Sequence, residues 1–125
     1  MEFVKREFLE NIGTLHLEIT GLCGVLEIRN LMLELICLLR ANRPECDKVL
    51  LVHSDVVTVE SPAKYLEAMD IIEKNIDVLS GIKLAVVAVE PNIVARNILF
   101  KSRLKGRVFI EVFDNIRWAY DWLLC

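Results

Sequence analysis

Apolar and polar residues alternate from Thr14 to Thr20, with Leu15, Leu17 and Ile19 on one side and His16, Glu18 and Thr20 on the other. That is the period of a strand with one dry face. The preceding stretch, Phe3 to Leu9, mixes Lys5, Arg6 and Glu7 among its apolar residues, as a protected edge strand does. Asn11-Ile12-Gly13 joins the two, and Gly13 can take the left-handed conformation that hairpin connections need. The spacing predicts a β-hairpin.

After Gly21 and Gly24 the period becomes helical, from about Val25 to Arg40, with Glu27, Asn30 and Glu34 marking a narrow polar stripe. Two continuous apolar runs, Lys48 to His53 and Lys83 to Val89, read as interior parallel strands. Between them a helix opens at Ser61-Pro62, an N-cap residue followed by proline at the first helical position, and carries Leu66, Met69, Ile72, Ile76 and Leu79 on one stripe. Glu90-Pro91 repeats that grammar for a helix ending near Leu104, and Gly106 breaks it. A fifth strand is expected from Arg107 to Phe113, then a last helix capped by Asp114 with Ile116, Ala119, Tyr120 and Leu123 inward.

The order ββαβαβαβα describes one α/β domain over residues 1–125, with a mixed, mainly parallel five-stranded sheet. Strand-helix-strand crossovers are right-handed, so strands laid down in sequential order put their helices largely on one face. The other face is then expected to be open or covered by a partner, with His16, Glu18 and Glu111 on it. No glycine-rich phosphate loop follows any strand, which removes the motif for a nucleotide-binding doubly wound fold.

Composition narrows the function classes. Hydrophobic residues make up 54% and charged residues 26%, which excludes disorder and calls for a dense core. A formal charge of -3 argues against nucleic acid as a partner, since neutralising phosphates takes a basic domain. Cys23, Cys37, Cys46 and Cys125 form no Cys-x-x-Cys pair and have no histidine at ligand spacing, so no metal and no cofactor are expected. They read as reduced, mostly buried thiols of a cytoplasmic protein. The start, Met1 to Glu7, lacks the basic and apolar regions of a signal peptide. The most apolar stretch, Leu31 to Leu39, is interrupted by Glu34 and is about half a bilayer span, so no transmembrane segment is expected.

Three stretches, Lys48-Val49-Leu50-Leu51-Val52-His53-Ser54-Asp55, Lys83-Leu84-Ala85-Val86-Val87-Ala88, and Val112-Phe113-Asp114 running into Ala119-Tyr120-Asp121-Trp122-Leu123, together with the hairpin and the order of elements, resemble the STAS-like (SpoIIAA-like) family. The resemblance implies the architecture of anti-sigma-factor antagonist domains and a protein-interaction or regulatory role. Those antagonists carry an Asp-Ser-Ser-Gly turn with a phosphorylatable serine. Here the matching segment reads Glu60-Ser61-Pro62-Ala63, which keeps one hydroxyl and loses the second serine and the glycine. Ser61 therefore reads as a plain N-cap. The lipid-exchange domains of the CRAL-TRIO type share the repeated strand-helix pattern but add helices that gate a pocket.

The candidate partner or ligand surface is His53, Ser54, Asp55, Glu60, Ser61 and Lys64, near the carboxyl end of a core strand where open α/β sheets place ligands. A hydrolytic use of His53 and Asp55 is the least favoured reading, because neighbouring strand residues point to opposite faces and no nucleophile elbow is present. The run Arg96, Lys101, Arg103, Lys105 and Arg107 reads as a solvated helix face. The surplus of apolar residues in the first helix and two tryptophans at i, i+4 in the last point to a homodimer surface of Met32, Leu35, Ile36, Leu39, Trp118 and Trp122. The leading expectation is a non-catalytic interaction module with an unidentified protein partner. The alternative is a carrier of a small apolar or lipid-like ligand, held in a pocket lined by the first helix and the sheet.

Overall fold

The computed structural model describes residues Met1 to Cys125. β1 (Glu2–Leu9) and β2 (Thr14–Leu22) form the antiparallel hairpin, and Gly13 closes it at φ 60°. A Cβ there would stand 2.8 Å from the Glu45 carbonyl oxygen, so both the dihedral and the space require glycine. The Gly13 carbonyl in turn accepts from the backbone N–H groups of Asp47 and Lys48, which fixes where β3 (Lys48–Val57) starts. β4 (Lys83–Val87) and β5 (Phe109–Phe113) complete a sheet of order β1-β2-β3-β4-β5, parallel from β2 onward.

Sequential order has the predicted consequence for the crossovers. α1 (Val25–Asn42), the 3-10 stretch Pro62–Ala68, α2 (Met69–Lys74), α3 (Ile76–Leu79) and α4 (Pro91–Arg103) contribute to one large core with Leu15, Leu17, Ile19, Val49, Leu51, Val86 and Ile110 of the sheet. The registers align Leu17, Leu51, Val86 and Val112 in one row across that face. Glu90 accepts from the N–H groups of Asn92 and Ile93 and so caps α4 where the sequence placed its start.

Several expectations change. The helix expected from Ser61 to Leu79 is a 3-10 stretch followed by two short α-helices broken at Asn75, whose side chain donates to the Ile71 carbonyl. Local side-chain bonding of this kind competes with helix continuation. Ser61 makes no capping bond. The last helix, α5 (Ile116–Leu123), is capped by Asn115, which accepts from the Trp118 N–H at 3.0 Å, rather than by Asp114. Ile116 faces out.

The second sheet face is covered in part by the chain itself. α5 lies on it, with Ala119 and Leu123 packed on Leu50, Val52, Ala85 and Val87, and with Phe113, Tyr120 and Trp122 at the margin. His16, expected to be exposed, is 5% exposed because Tyr120 closes over it. The handedness rule governs helices that connect two parallel strands of a sheet; α5 connects no two of these five strands, so the rule does not fix its side.

This also corrects the homodimer surface. Met32, Ile36 and Leu39 belong to the large core and Leu35 is half-buried against it, so these side chains fill the space between α1 and the sheet. Trp118 and Trp122 sit on the opposite face, so the six residues do not form one patch. Trp118 is 62% exposed, whereas Trp122 packs on Phe113 with ring centroids 5.9 Å apart. No helix is long and apolar enough to cross a membrane.

Candidate functional site

The strand period separates His53 from Ser54. His53 points to the large core, while Ser54 turns to the other face, where its hydroxyl donates to Glu18 at 3.2 Å. Asp55 is exposed and holds φ 51° at the irregularity where β2 and β3 shift register between Ile19 and Gly21. Ser61 and Lys64 are exposed, and Lys64 pairs with Glu67 at 3.6 Å. The structure therefore divides the predicted residues between an interior cluster around His53 and an outer loop surface.

The interior cluster is built by a residue that the sequence reading assigned to a solvated face. Arg96 is 1% exposed. Its Nη2 donates to His53 Nε2 at 2.9 Å, and its guanidinium carbon lies 4.9 Å from the centre of the Tyr65 ring. Because arginine only donates, His53 must accept at Nε2 and is held as the neutral imidazole. Burial, and then the Arg96 charge, push the His53 pKa down to about 3, partly offset by the Val87 backbone. Burial likewise pushes Arg96 below its ordinary value.

Cys23 and Tyr65 complete the surroundings of Arg96. Tyr65 donates to the Cys23 carbonyl at 2.9 Å and also approaches Glu60 at 3.3 Å. Burial pushes both the Cys23 thiol and the Tyr65 phenol up. Arg96 Nε and Nη1 and His53 Nδ1 are buried and make no hydrogen bond of good geometry, although Cys23 and Tyr65 lie beside the guanidinium and the Val87 backbone lies beside the imidazole. A spacing signal for Arg96 was available: Ile93, Arg96, Phe100 and Leu104 recur at helical intervals, which places Arg96 on the core stripe of α4. The rest of the basic run is dispersed, with Lys101 paired to Glu111 at 2.7 Å and Arg103 to Glu73 at 3.7 Å.

The loop after β3 is pinned over this cluster. Cys23 N–H donates to the Val57 carbonyl, Thr58 donates to Glu90 at 3.3 Å, and the Glu60 carboxylate sits so close to Gly24 that a Cβ there would be 3.0 Å from it. Gly24 caps α1, so Glu60 places negative charge at the positive end of that helix. Around these pins five large apolar side chains face outward: Leu22, Leu26, Val57, Val59 and Val89, the last two at 63% and 76% exposure. Leu22 and Val57 are register partners, so the patch spans the exits of β2, β3 and β4.

Beneath the cluster, between α1, α4 and the sheet, lies a cavity of about 70 Å³. Of its 15 lining residues 13 are hydrophobic, among them Ile28, Leu31, Leu51 and Phe100; Arg96 and Asn97 are the others. All four cysteines are free thiols, with Cys23 and Cys46 buried and Cys37 and Cys125 exposed, so fewer are interior than the sequence suggested.

No family model matches the sequence, and no curated protein does. Among solved structures, the chain is similar to an uncharacterized protein of the DUF3478 family with a SpoIIAA-like fold from Shewanella loihica PV-4. The TM-score is 0.56 at 16% identity, over 90% of this chain and 84% of that one. At that identity the likeness establishes the fold, which is SpoIIAA-like, and carries no residue roles across.

Proposed function

We propose that this chain is a non-catalytic interaction module whose docking surface is the apolar rim at the carboxyl ends of β2, β3 and β4. The observation that carries the reading is the outward exposure of Leu22 and Val57 at the ends of β2 and β3, Leu26 in the first turn of α1, and Val59 and Val89 on the loops after β3 and β4, with Cys23 bonded to Val57 and Thr58 to Glu90 across this end. Contiguous apolar surface rimmed by polar groups marks an interaction site, whereas scattered apolar residues do not. Asp55, Ser61 and Lys64 supply the polar margin. Ser54 bonds Glu18 on one face and His53 is held by Arg96 on the other, so the hydrolytic reading has no convergent constellation to support it.

The test is affinity capture with the wild-type chain and a Val57→Asp/Val59→Asp variant, followed by direct titration of the purified candidate partner. The reading expects a partner that binds the wild type and is lost on the variant, whose fold is checked by circular dichroism. Identical partners and affinities for both would sink it.

A second reading, a carrier of a small apolar ligand, is favoured by the cavity. Interiors hold few voids larger than a water molecule. At about 24 cal/mol per Å³, an empty volume of about 70 Å³ costs on the order of 1–2 kcal/mol, which an apolar occupant offsets.

A further inference from the structure

Each outward apolar residue on the loops and helix start at the carboxyl ends of the strands has an acid beside it in the chain. Leu26 is followed by Glu27 in the first turn of α1, and Val59 by Glu60 in the loop after β3. Val89 is followed by Glu90 at the start of α4, and Val57 stands two residues beyond exposed Asp55. None of these four carboxylates belongs to an ion pair, although the rest of the surface is well supplied with them. Glu60 accepts from Tyr65, and Glu90 from Thr58 and two backbone N–H groups, but a carboxylate that only accepts hydrogen bonds keeps its charge. The helix ends beside these two offset about half a charge each, which leaves the rim negative.

Positive charge is scarce at this end. Lys64 pairs with Glu67 at 3.6 Å, the α-amino group lies near Gly21, and Arg96 is buried. The bases gather at the opposite end, where Lys48 and Lys83 open β3 and β4, and Lys105 and Arg107 precede β5. The sheet is therefore polarised, with its negative pole at the apolar rim. Such a surface repels nucleic acid and anionic lipid and favours a partner that brings cations to the same contact.

We infer that the rim docks a cationic amphipathic polypeptide segment. Its apolar side chains cover Leu26, Val57, Val59 and Val89, and its flanking lysines or arginines meet Glu27, Asp55, Glu60 and Glu90. The inference rests on the docking reading and adds the chemistry of the partner. The apolar half supplies contact area, while the charges select the partner and speed its arrival. Glu60 and Glu90 also hold the N-terminal ends of α1 and α4, whereas Glu27 and Asp55 make no side-chain hydrogen bond and can be neutralised with the fold intact. Asparagine suits the left-handed conformation at position 55 as well as aspartate does.

The experiment is anisotropy titration of the wild-type chain with three labelled peptides, each about four helical turns long. They carry leucine at the same positions and lysine, glutamine or glutamate at the rest. Titrations at about 50 mM and about 500 mM salt span a threefold fall in the screening length. The lysine peptide is expected to bind about tenfold tighter than the glutamine peptide at low salt, the glutamate peptide weakest, with the gap mostly closed at high salt. Glu27→Gln/Asp55→Asn is expected to weaken the lysine peptide about threefold and leave the glutamine peptide unchanged. Glu10→Gln/Asp121→Asn, which neutralises exposed acids away from the rim, should change neither, and Val59→Ser/Val89→Ser should weaken both. Equal binding of the lysine and glutamine peptides, lost on the valine variant, overturns the cationic partner and leaves the docking reading standing. A lysine peptide that binds the valine variant undiminished, or that loses as much on Glu10→Gln/Asp121→Asn as on the rim variant, is not seated on the rim and overturns the inference. So does the absence of binding by any peptide. Co-sedimentation with phosphatidylserine vesicles that is lost on the valine variant assigns the rim to a lipid surface instead.

Discussion

Tyr120 Oη stands 3.2 Å from Nδ1 of His16, a contact between residues 104 positions apart that ties α5 to β2 across the second sheet face. His16 Nε2 has no partner, and burial pushes the His16 pKa down, followed by the charge of Lys5 and opposed by Glu18 and Glu7. Tyr120→Phe therefore leaves a buried imidazole with neither nitrogen satisfied. The expected cost is about 1 kcal/mol, read as a lower urea midpoint at unchanged slope. An unchanged midpoint would mean that the packing of Ala119 and Leu123 holds α5 without this bond.

The hairpin, the parallel strands and the start of α4 were legible because each has a local signal: alternation at Leu15, Leu17 and Ile19, continuous apolar runs, and Glu90-Pro91. The side of the sheet taken by α5 was not, because its position depends on long-range packing against Leu50 and Ala85. The burial of Met32, Ile36 and Leu39 was hidden for a related reason. A first helix with apolar residues beyond one stripe does not say which of them the sheet will cover, and here Leu26 and Leu33 are the ones left outside. Within the candidate site, His53 was singled out from its place at a strand end, while Arg96, its partner, was obscured by the exposed basic residues that follow it.

Asp55 is the one non-glycine residue with positive φ, at 51°. Aspartate tolerates the left-handed region better than most residues, and β-branched residues tolerate it poorly. Asp55→Gly is expected to be close to neutral, and Asp55→Val to lower stability by about 1–2 kcal/mol. Thermal unfolding of the two variants side by side checks this. Equal midpoints would mean that the bulge relaxes to accommodate either residue.

A homodimer, if formed through the residues the sequence suggested, now depends on Trp118, since the α1 members of that set face inward. Trp118 adjoins the edge strand β5 in a groove with Ile98 and Phe113, and an unpaired strand edge beside exposed apolar side chains favours association of like with like. Sedimentation at tens of micromolar is expected to show a dimer for the wild type and for Leu33→Glu, and a monomer for Trp118→Glu. A wild-type monomer at that concentration rules out the edge dimer, and dissociation by Leu33→Glu moves the contact to α1.

His53 gives the fold a pH dependence of definite sign. Its pKa falls from 6.5 in the unfolded chain to about 3 in the folded one, so below about pH 6.5 the unfolded state binds a proton that the native state refuses. Stability is therefore full above the unfolded value and is lost as pH falls toward the folded one. Between about pH 7 and about pH 5 the loss from this one group is about 2 kcal/mol, and buried His16 adds to it in the same direction. His53→Gln keeps an acceptor for Arg96 Nη2 but cannot titrate. Its unfolding free energy should decline by about 2 kcal/mol less than that of the wild type over this interval. Parallel pH profiles for the two proteins would show that His53 is protonated as readily in the native state as in the unfolded chain. In that case the Arg96–His53 bond cannot be the one that orders this interior.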